Sequence, residues 1–489
     1  MLVGDMLGRI VIAQVLALAF LGAQDQPRLV SLNVVAVDSQ GQPVTDLTQE
    51  EFQVVDDGKR QQTVFFRHLD SKPPQVRTPE PGEFSNGGRA NARHVTLILF
   101  DLLNEHFDTR ALTANQIVEQ LGDIENADDL YLYLLTLDGR LFAVHGLNGT
   151  ETGRPQDGGP WTRQIKPLLD QALRTVQTIR PIDSADVNVR LGLTFDALQQ
   201  IAAPLAAFPG RKNIVWVTDG VPISLGSRSS YTGEPIDFTP QLRQLSEWFD
   251  RSGVTIYPVR QVMLGSPDGM GGTGDGALDF LNTLSGLTGG RPNGSKDVGM
   301  AVKQAMRDLR SSYQIGYFPP EKNWNNKFHN LRVTCTRKGV RVQARTGYYA
   351  WQEAAGARAD RAIGAAVKEQ FDAAEIGLRG TFERDPKNAR QVKLAARIAA
   401  NDVTLVQEGG QYVGKLRVAC VQYRPDGRTT GSAIAPFDLS YDAAARDQAL
   451  KEGIPFQKSV TLEDGVSRVR FIVFDSDSDT IGSLTMAVN

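Results

Sequence analysis

Two runs of apolar residues, each stopping abruptly on an aspartate, constrain this chain more than any other feature. The first is His94-Val-Thr-Leu-Ile-Leu-Phe-Asp101 and the second Asn213-Ile-Val-Trp-Val-Thr-Asp219-Gly220. An apolar run without polar alternation predicts a strand buried on both faces, as in the middle of a parallel sheet. In open α/β sheets, functional groups collect beyond the carboxyl ends of the strands. Asp101 and Asp219 therefore share one rim if their strands are parallel neighbours.

Residues 94–318 alternate strand and helix patterns around these runs. Helical spacing is read over 111–124, 165–179, 193–208, 242–251, 277–284 and 298–311. Strands are read at Asp129–Thr136, turned by Asp138-Gly139, at Val254–Val259 and at Tyr313–Phe318. This alternation predicts a doubly wound α/β sheet. The loops at 146–162, 221–239 and 263–276 are then candidates for recognition at the rim.

The flanks read differently. Residues 28–67 predict a small β unit with a hairpin around Asp57-Gly58, too small to bury much surface alone. Residues 68–93 are rich in Pro and Gly and predict a linker. A β-hairpin is expected over 329–349 and a helical connector over 354–376. Residues 377–489 carry short strand patterns at the density of a β-sandwich.

At the start, one basic residue within Met1–Arg9 precedes apolar Ile10–Leu21 and the small pair Gly22-Ala23. The pattern over 1–23 is that of a signal peptide; the other reading is a buried or anchoring N-terminal helix. The run falls short of the roughly 20 apolar residues of a comfortable span, and no later stretch is long enough. The expectation is a secreted or periplasmic protein with no membrane span after cleavage. A formal charge of -3 over 489 residues supplies no field to gather nucleic acid or anionic lipid. Two cysteines, Cys335 and Cys420, exclude a disulfide framework and leave a single bridge open.

The rim aspartates resemble those of the von Willebrand factor type A domain, with Thr218-Asp219-Gly220 the closer match. More specifically the chain resembles the VWFA-related proteins abundant in Acidobacteria. The matching stretches are Val44–Phe52, Gly210-Arg-Lys-Asn-Ile-Val-Trp216, Ser312-Tyr-Gln-Ile-Gly-Tyr317 and Arg345-Thr-Gly-Tyr-Tyr349. The resemblance implies a metal-ion-dependent adhesion site, whose first motif reads Asp-x-Ser-x-Ser. Here the stretch is Asp101-Leu-Leu-Asn104-Glu105, without either serine, and Thr194 is near but not at the position expected for a ligand threonine. Hard cations take oxygen ligands, so Asp101, Asn104, Glu105 and Asp219 are the candidate ligands of a modified Mg²⁺ or Ca²⁺ site. The alternative is a rim that has lost its metal, with both aspartates capping loops. The implied function is adhesion-type binding of a protein or cell-surface ligand at the rim. A metal-free envelope scaffold is the second reading and a secreted hydrolase the third.

Other signals are weaker. Gly269-Met-Gly-Gly-Thr-Gly274 spells a dinucleotide fingerprint but lies too far from its strand, and Ser295 breaks a would-be phosphate loop before Lys296. No organic cofactor is expected. Asp475-Ser-Asp-Ser-Asp479 starts like a calcium loop, yet lacks the later glycine and glutamate, and is expected to be a solvated turn. Arg211-Lys212 is expected to be the solvated start of a strand. The five histidines show no zinc-protease spacing, and no nucleophile elbow occurs.

Overall fold

The computed structural model describes residues 28–69, 82–87, 95–104, 130–147, 161–176, 187–205, 211–220, 239–260, 274–291, 298–309, 312–320, 323–354, 356–369, 371–430 and 434–488, with positions 80, 119 and 208. The segment expected as a signal peptide, nearly all of the helix expected over 111–124, Glu105 and most of the three candidate recognition loops lie outside the described residues.

The first strands are β1 (Val30–Val37), β2 (Phe52–Asp56), β3 (Lys59–Gln61), β4 (Phe65–Leu69) and β5 (Glu83–Ser85). The middle of the chain holds β6 (Val95–Asp101), β7 (Leu130–Leu135), β8 (Leu141–His145), β9 (Lys212–Val217) and β10 (Val254–Val259). Its helices are α1 (Trp161–Val176), α2 (Val187–Leu205), α3 (Thr239–Arg251), α4 (Gly274–Thr288) and α5 (Val298–Leu309). Next come β11 (Ser312–Tyr317), β12 (Phe328–Cys335), β13 (Arg341–Gln343), β14 (Gly347–Tyr349) and helix α6 (Ala357–Lys368). The C-terminal part contains β15 (Leu378–Asp385), β16 (Asn388–Ile398), β17 (Val406–Glu408), β18 (Gln411–Tyr423), β19 (Thr429–Thr430) and β20 (Ala435–Tyr441). Helix α7 (Ala443–Glu452) leads to β21 (Ile454–Thr461), β22 (Arg468–Asp475) and β23 (Ile481–Ala487).

The two apolar runs are parallel neighbours, in register from Val95↔Lys212 to Phe100↔Val217. Successive strand side chains point to opposite faces, and both faces are covered. Leu97, Leu99, Ile214 and Trp216 join one apolar cluster with α2, α3 and α4. Ile98, Phe100, Val215 and Val217 join another with α1 and α5. That explains the missing polar alternation. Their sheet has the order β10-β9-β6-β7-β8. The first four strands are parallel and β8 returns antiparallel from the Asp138-Gly139 turn. Gly139 has φ +79°, and a Cβ there would meet Leu193 at 2.7 Å, so only glycine fits.

The expectation of a doubly wound von Willebrand factor type A fold over 94–318 is corrected. Tyr313–Phe318, expected as its closing strand, leaves that sheet. As β11 it lies antiparallel between β1 and β4. Among the described residues, four of the five sheets are wholly antiparallel, and only the fifth contains parallel pairs. A central strand of either kind of sheet is buried on both faces, as β11 is, so its strand pattern did not reveal its partners.

The antiparallel sheets knit distant stretches together. The orders β13-β1-β11-β4 and β14-β12-β2-β3 enclose one core, which includes Leu32, Val34, Phe52, Val54, Tyr313 and Ile315. A 40-residue unit cannot bury enough surface alone, and here strands from residues 312–349 complete it. The orders β21-β16-β15-β5 and β17-β18-β22-β23, with β19 and β20 on β18, face each other across a second core in the manner of a sandwich. Strand β5 falls inside the stretch expected as linker; Glu83–Ser85 pairs with Arg379–Thr381. Asn86 then donates to the Ala373 and Ile376 carbonyls, both at 2.9 Å.

Arg211-Lys212 is not solvated, contrary to expectation: both side chains are fully buried. Lys212 Nζ lies 2.6 Å from Glu375, which approaches from the sandwich side. Arg211 donates to Tyr257 Oη and the Gly289 carbonyl, each at 3.0 Å. Isolated buried charge is prohibitive, so pairing permits this burial. The two thiols are free; burial pushes Cys420 up to about 11. No described helix is long and apolar enough to cross a membrane.

Candidate functional site

The parallel pairing of β6 and β9 delivers Asp101 and Thr218-Asp219 to the same sheet end. Asp101 is the last residue of β6 and is wholly buried. Its Oδ1 accepts the Asn104 backbone N–H at 3.0 Å. Its Oδ2 accepts three bonds: from Asn104 Nδ2 at 2.8 Å, Trp216 Nε1 at 3.1 Å and Thr218 Oγ1 at 2.9 Å. Burial raises the Asp101 carboxyl above its usual range against the opposing pull of these donors. The group thus behaves as a pin that ties the β6 end to the β9 end.

Asn104 extends the network. Its Nδ2 also donates to Thr194 Oγ1 at 2.8 Å. Arg190 donates from Nη2 to Asn104 Oδ1 at 3.1 Å and to the Leu103 carbonyl at 3.2 Å. Arg190 and Thr194 stand four residues apart on α2, one turn along the same face. Burial lowers the Arg190 pKa and the nearby Asp101 opposes that shift. Its Nε is buried without a hydrogen-bond partner.

The structure therefore brings Asp101 and Asn104 together and adds Thr194 and Arg190. Asp219 is half-buried, and its backbone carbonyl accepts Arg260 Nε at 3.1 Å. Glu105 lies outside the described residues. The donor set tests the expected Mg²⁺ or Ca²⁺. A hard cation needs several oxygens with free lone pairs. Here Asp101 spends its acceptors on four N–H and O–H donors, and Asn104 turns its oxygen to a guanidinium. Asp101 and Asn104 do not fit a cation as they stand. Arg190 was not singled out from the sequence; its spacing of four from Thr194 was the available signal.

A second polar cluster was also missed. The Asp57-Gly58 hairpin turn has φ 45° and 78° at its two residues, the geometry of a type I′ turn. It leaves Asp56 buried at the strand end and Asp57 exposed at the tip. Asp56 Oδ2 accepts Tyr317 Oη at 2.9 Å and Tyr348 Oη at 3.1 Å. Asp56 Oδ1 lies 3.0 Å from His329 Nδ1, and Asp57 Oδ2 lies 3.4 Å from the same nitrogen. Asp57 Oδ1 accepts the Asn330 N–H at 2.9 Å. Burial raises both tyrosine pKa values; the neighbouring Tyr348 and Asp56 push Tyr317 further up, while at Tyr348 Asp56 raises the value and the bond with Tyr317 opposes it. Tyr317 and Tyr348 lie within two of the motifs that carried the family resemblance, and β11 and β14 bring them to one carboxylate.

Asp475–Asp479 is not the solvated turn expected. Asp475 and Asp477 are buried. Asp475 accepts the N–H groups of Thr404 at 2.6 Å, Asp477 at 2.9 Å and Ser478 at 3.3 Å. Asp479 pairs with Arg358 and lies 3.8 Å from Arg28. Two of the three aspartates are thus engaged by protein donors, so the calcium-loop likeness does not extend to a ligand set.

No protein-family model and no curated protein matches the sequence. Among solved structures, a mutant of the PilB minor pilin from Streptococcus sanguinis is similar at 9% identity. That match covers 58% of this chain and 87% of that one, with a TM-score of 0.27. Three N-terminal domains of the type V pili tip protein Mfa5 from Porphyromonas gingivalis are similar at 9% identity. They cover 95% of this chain and 78% of theirs, with a TM-score of 0.23. Likeness at this level fixes neither the fold nor the function of this chain.

Proposed function

We propose that the protein is a non-catalytic, adhesion-type binding protein of the cell exterior that engages a protein or surface ligand at the β6–β9 rim. The observation that carries this reading is the network at Asp101. A fully buried carboxylate holds four donors and anchors Asn104, which in turn positions the partly buried Arg190. In an adhesion site of the metal-dependent kind, the ion receives an acidic group of the partner. Here Arg190 supplies the positive charge. A guanidinium is a planar fork suited to a carboxylate, and part of this one is already fixed by Leu103 and Asn104. Charge recognition then needs no ion at Asp101. Asp101 is also a poor catalyst: it is enclosed and saturated, and among the described residues no nucleophile–base pair accompanies it.

The test is binding of displayed peptides that carry a single Asp or Glu against the same peptides with Asn or Gln. Acid-dependent binding that survives EDTA and is lost in Arg190→Gln supports the reading. Acid-dependent binding that requires a divalent ion, or that Arg190→Gln leaves unchanged, contradicts it.

The scaffold reading has one specific observation in its favour. Strands from residues 30–85 enter sheets with residues 312–343 and 378–398, and the Lys212–Glu375 pair is buried between further segments. A chain interlocked in this way transmits load between its parts, which suits a structural role alongside binding.

A further inference from the structure

We infer that Asp56, Asp57 and His329 form a binding site for a first-row divalent transition ion, zinc above all, at the hairpin tip of the N-terminal β unit. This inference is independent of the rim and of Arg190.

The donor atoms converge. One ligand atom from each of Asp56, Asp57 and His329 lies within 4.8 Å of the other two. Around a tetrahedral zinc with bonds of about 2.0–2.1 Å, ligand atoms stand about 3.3 Å apart. The two separations from Nδ1, 3.0 and 3.4 Å, bracket that value. One imidazole and two carboxylates suit zinc and its first-row neighbours rather than Mg²⁺ or Ca²⁺, which favour all-oxygen sets.

Groups outside the cluster orient each ligand. Both carboxylates have one oxygen held and the other turned inward. Tyr317 and Tyr348 hold Asp56 Oδ2, leaving Oδ1 toward the imidazole. The Asn330 N–H holds Asp57 Oδ1, leaving Oδ2 toward the same nitrogen. Such outer hydrogen bonds fix the direction and basicity of metal ligands. This contrasts with Asp101, where one donor takes Oδ1 and three take Oδ2. The environment also provides access: the Asp56 and His329 side chains are 0% and 4% exposed, but that of Asp57 is 44% exposed. An ion can enter past Asp57 and keep a fourth position for water. Two carboxylates balance its charge. Nδ1 must offer its lone pair, so an imidazole proton resides on Nε2 when the ion is bound. Without an ion, an Nδ1–H shared between the carboxylates satisfies the same geometry, and this is the competing account.

The test uses the full chain and zinc alone. Calorimetric titration should give one saturable site with micromolar or tighter affinity, together with a rise in unfolding temperature. Asp57→Asn keeps a residue that tolerates positive φ and should weaken zinc binding at least 10-fold. Asp101→Asn should leave zinc binding unchanged. Cobalt(II) should give the visible absorption of a low-coordinate N/O site, lost in Asp57→Asn. Absence of saturable binding at 100-fold molar excess of zinc would overturn the proposal. So would equal affinity in Asp57→Asn, which would place the ion on other histidines. His329→Gln serves as a second arm where it folds, with the same loss expected.

Discussion

Asp101 and Asp56 are both buried strand-end aspartates, and they are put to opposite uses. Four donors, including the indole of the neighbouring strand and the Thr218 hydroxyl just past its end, close Asp101. Two phenols hold one oxygen of Asp56 while the other faces an imidazole and a second carboxylate. The first arrangement is a structural pin that supports a cationic side chain. The second leaves lone pairs converging on a point that an ion can occupy. Residue type and burial are alike at the two positions; the allocation of hydrogen bonds separates them.

The largest effect is expected from Asp101→Ala. It removes the shared acceptor of the Trp216 indole, the Thr218 hydroxyl and two Asn104 donors in a buried site. Each buried group left unsatisfied costs about 1–3 kcal/mol, so urea unfolding should show a loss of at least about 3 kcal/mol. A loss below about 1 kcal/mol would mean that water or another acceptor already serves these groups. Asp56→Ala should cost somewhat less, about 2–3 kcal/mol, because Tyr317, Tyr348 and His329 lose one shared acceptor. The same unfolding measurement checks the ranking. Tyr348→Phe should cost only about 1 kcal/mol, since Tyr317 continues to hold Asp56.

A third buried carboxylate sharpens the comparison through pH. Burial, with Asp475 beside it, pushes Asp477 up to about 7. Its folded pKa stands above its unfolded value, so the native state binds more protons between about pH 4 and 7. Stability from this group is greatest at the acid end of that window and falls as pH rises through it, by at most about 1.4 kcal/mol per pH unit. Asp477→Asn removes the titration and should flatten this part of the stability–pH curve. An unchanged slope in the variant would assign the titration elsewhere.

The sequence carried the β6–β9 pair well. Apolar runs without alternation meant two buried faces, and the shared rim of Asp101 and Asp219 followed from parallel pairing. It did not carry the destination of β11, because a buried central strand looks the same in either kind of sheet. Arg211 and Lys212 read as surface residues because lysine and arginine are rarely buried unless paired. Their partners, Tyr257, Gly289 and Glu375, lie 46 to 163 residues away. The motif pointed to Asp101 and Asn104, which the fold does bring together, but not to Arg190, whose bond to Asn104 spans 86 residues. The Asp56–His329 contact spans 273 residues, and only the fold reveals it.

The most direct measurement is thermal unfolding of the protein in EDTA and in millimolar Mg²⁺ or Ca²⁺, beside Asp101→Asn. A ligand bound only by the folded state at 100 times its dissociation constant adds about 2.7 kcal/mol, which would be plain in such a scan. A closed Asp101 predicts the same transition in EDTA, Mg²⁺ and Ca²⁺. A rise with Mg²⁺ or Ca²⁺ that disappears in Asp101→Asn would contradict the account and make the rim an ion site after all.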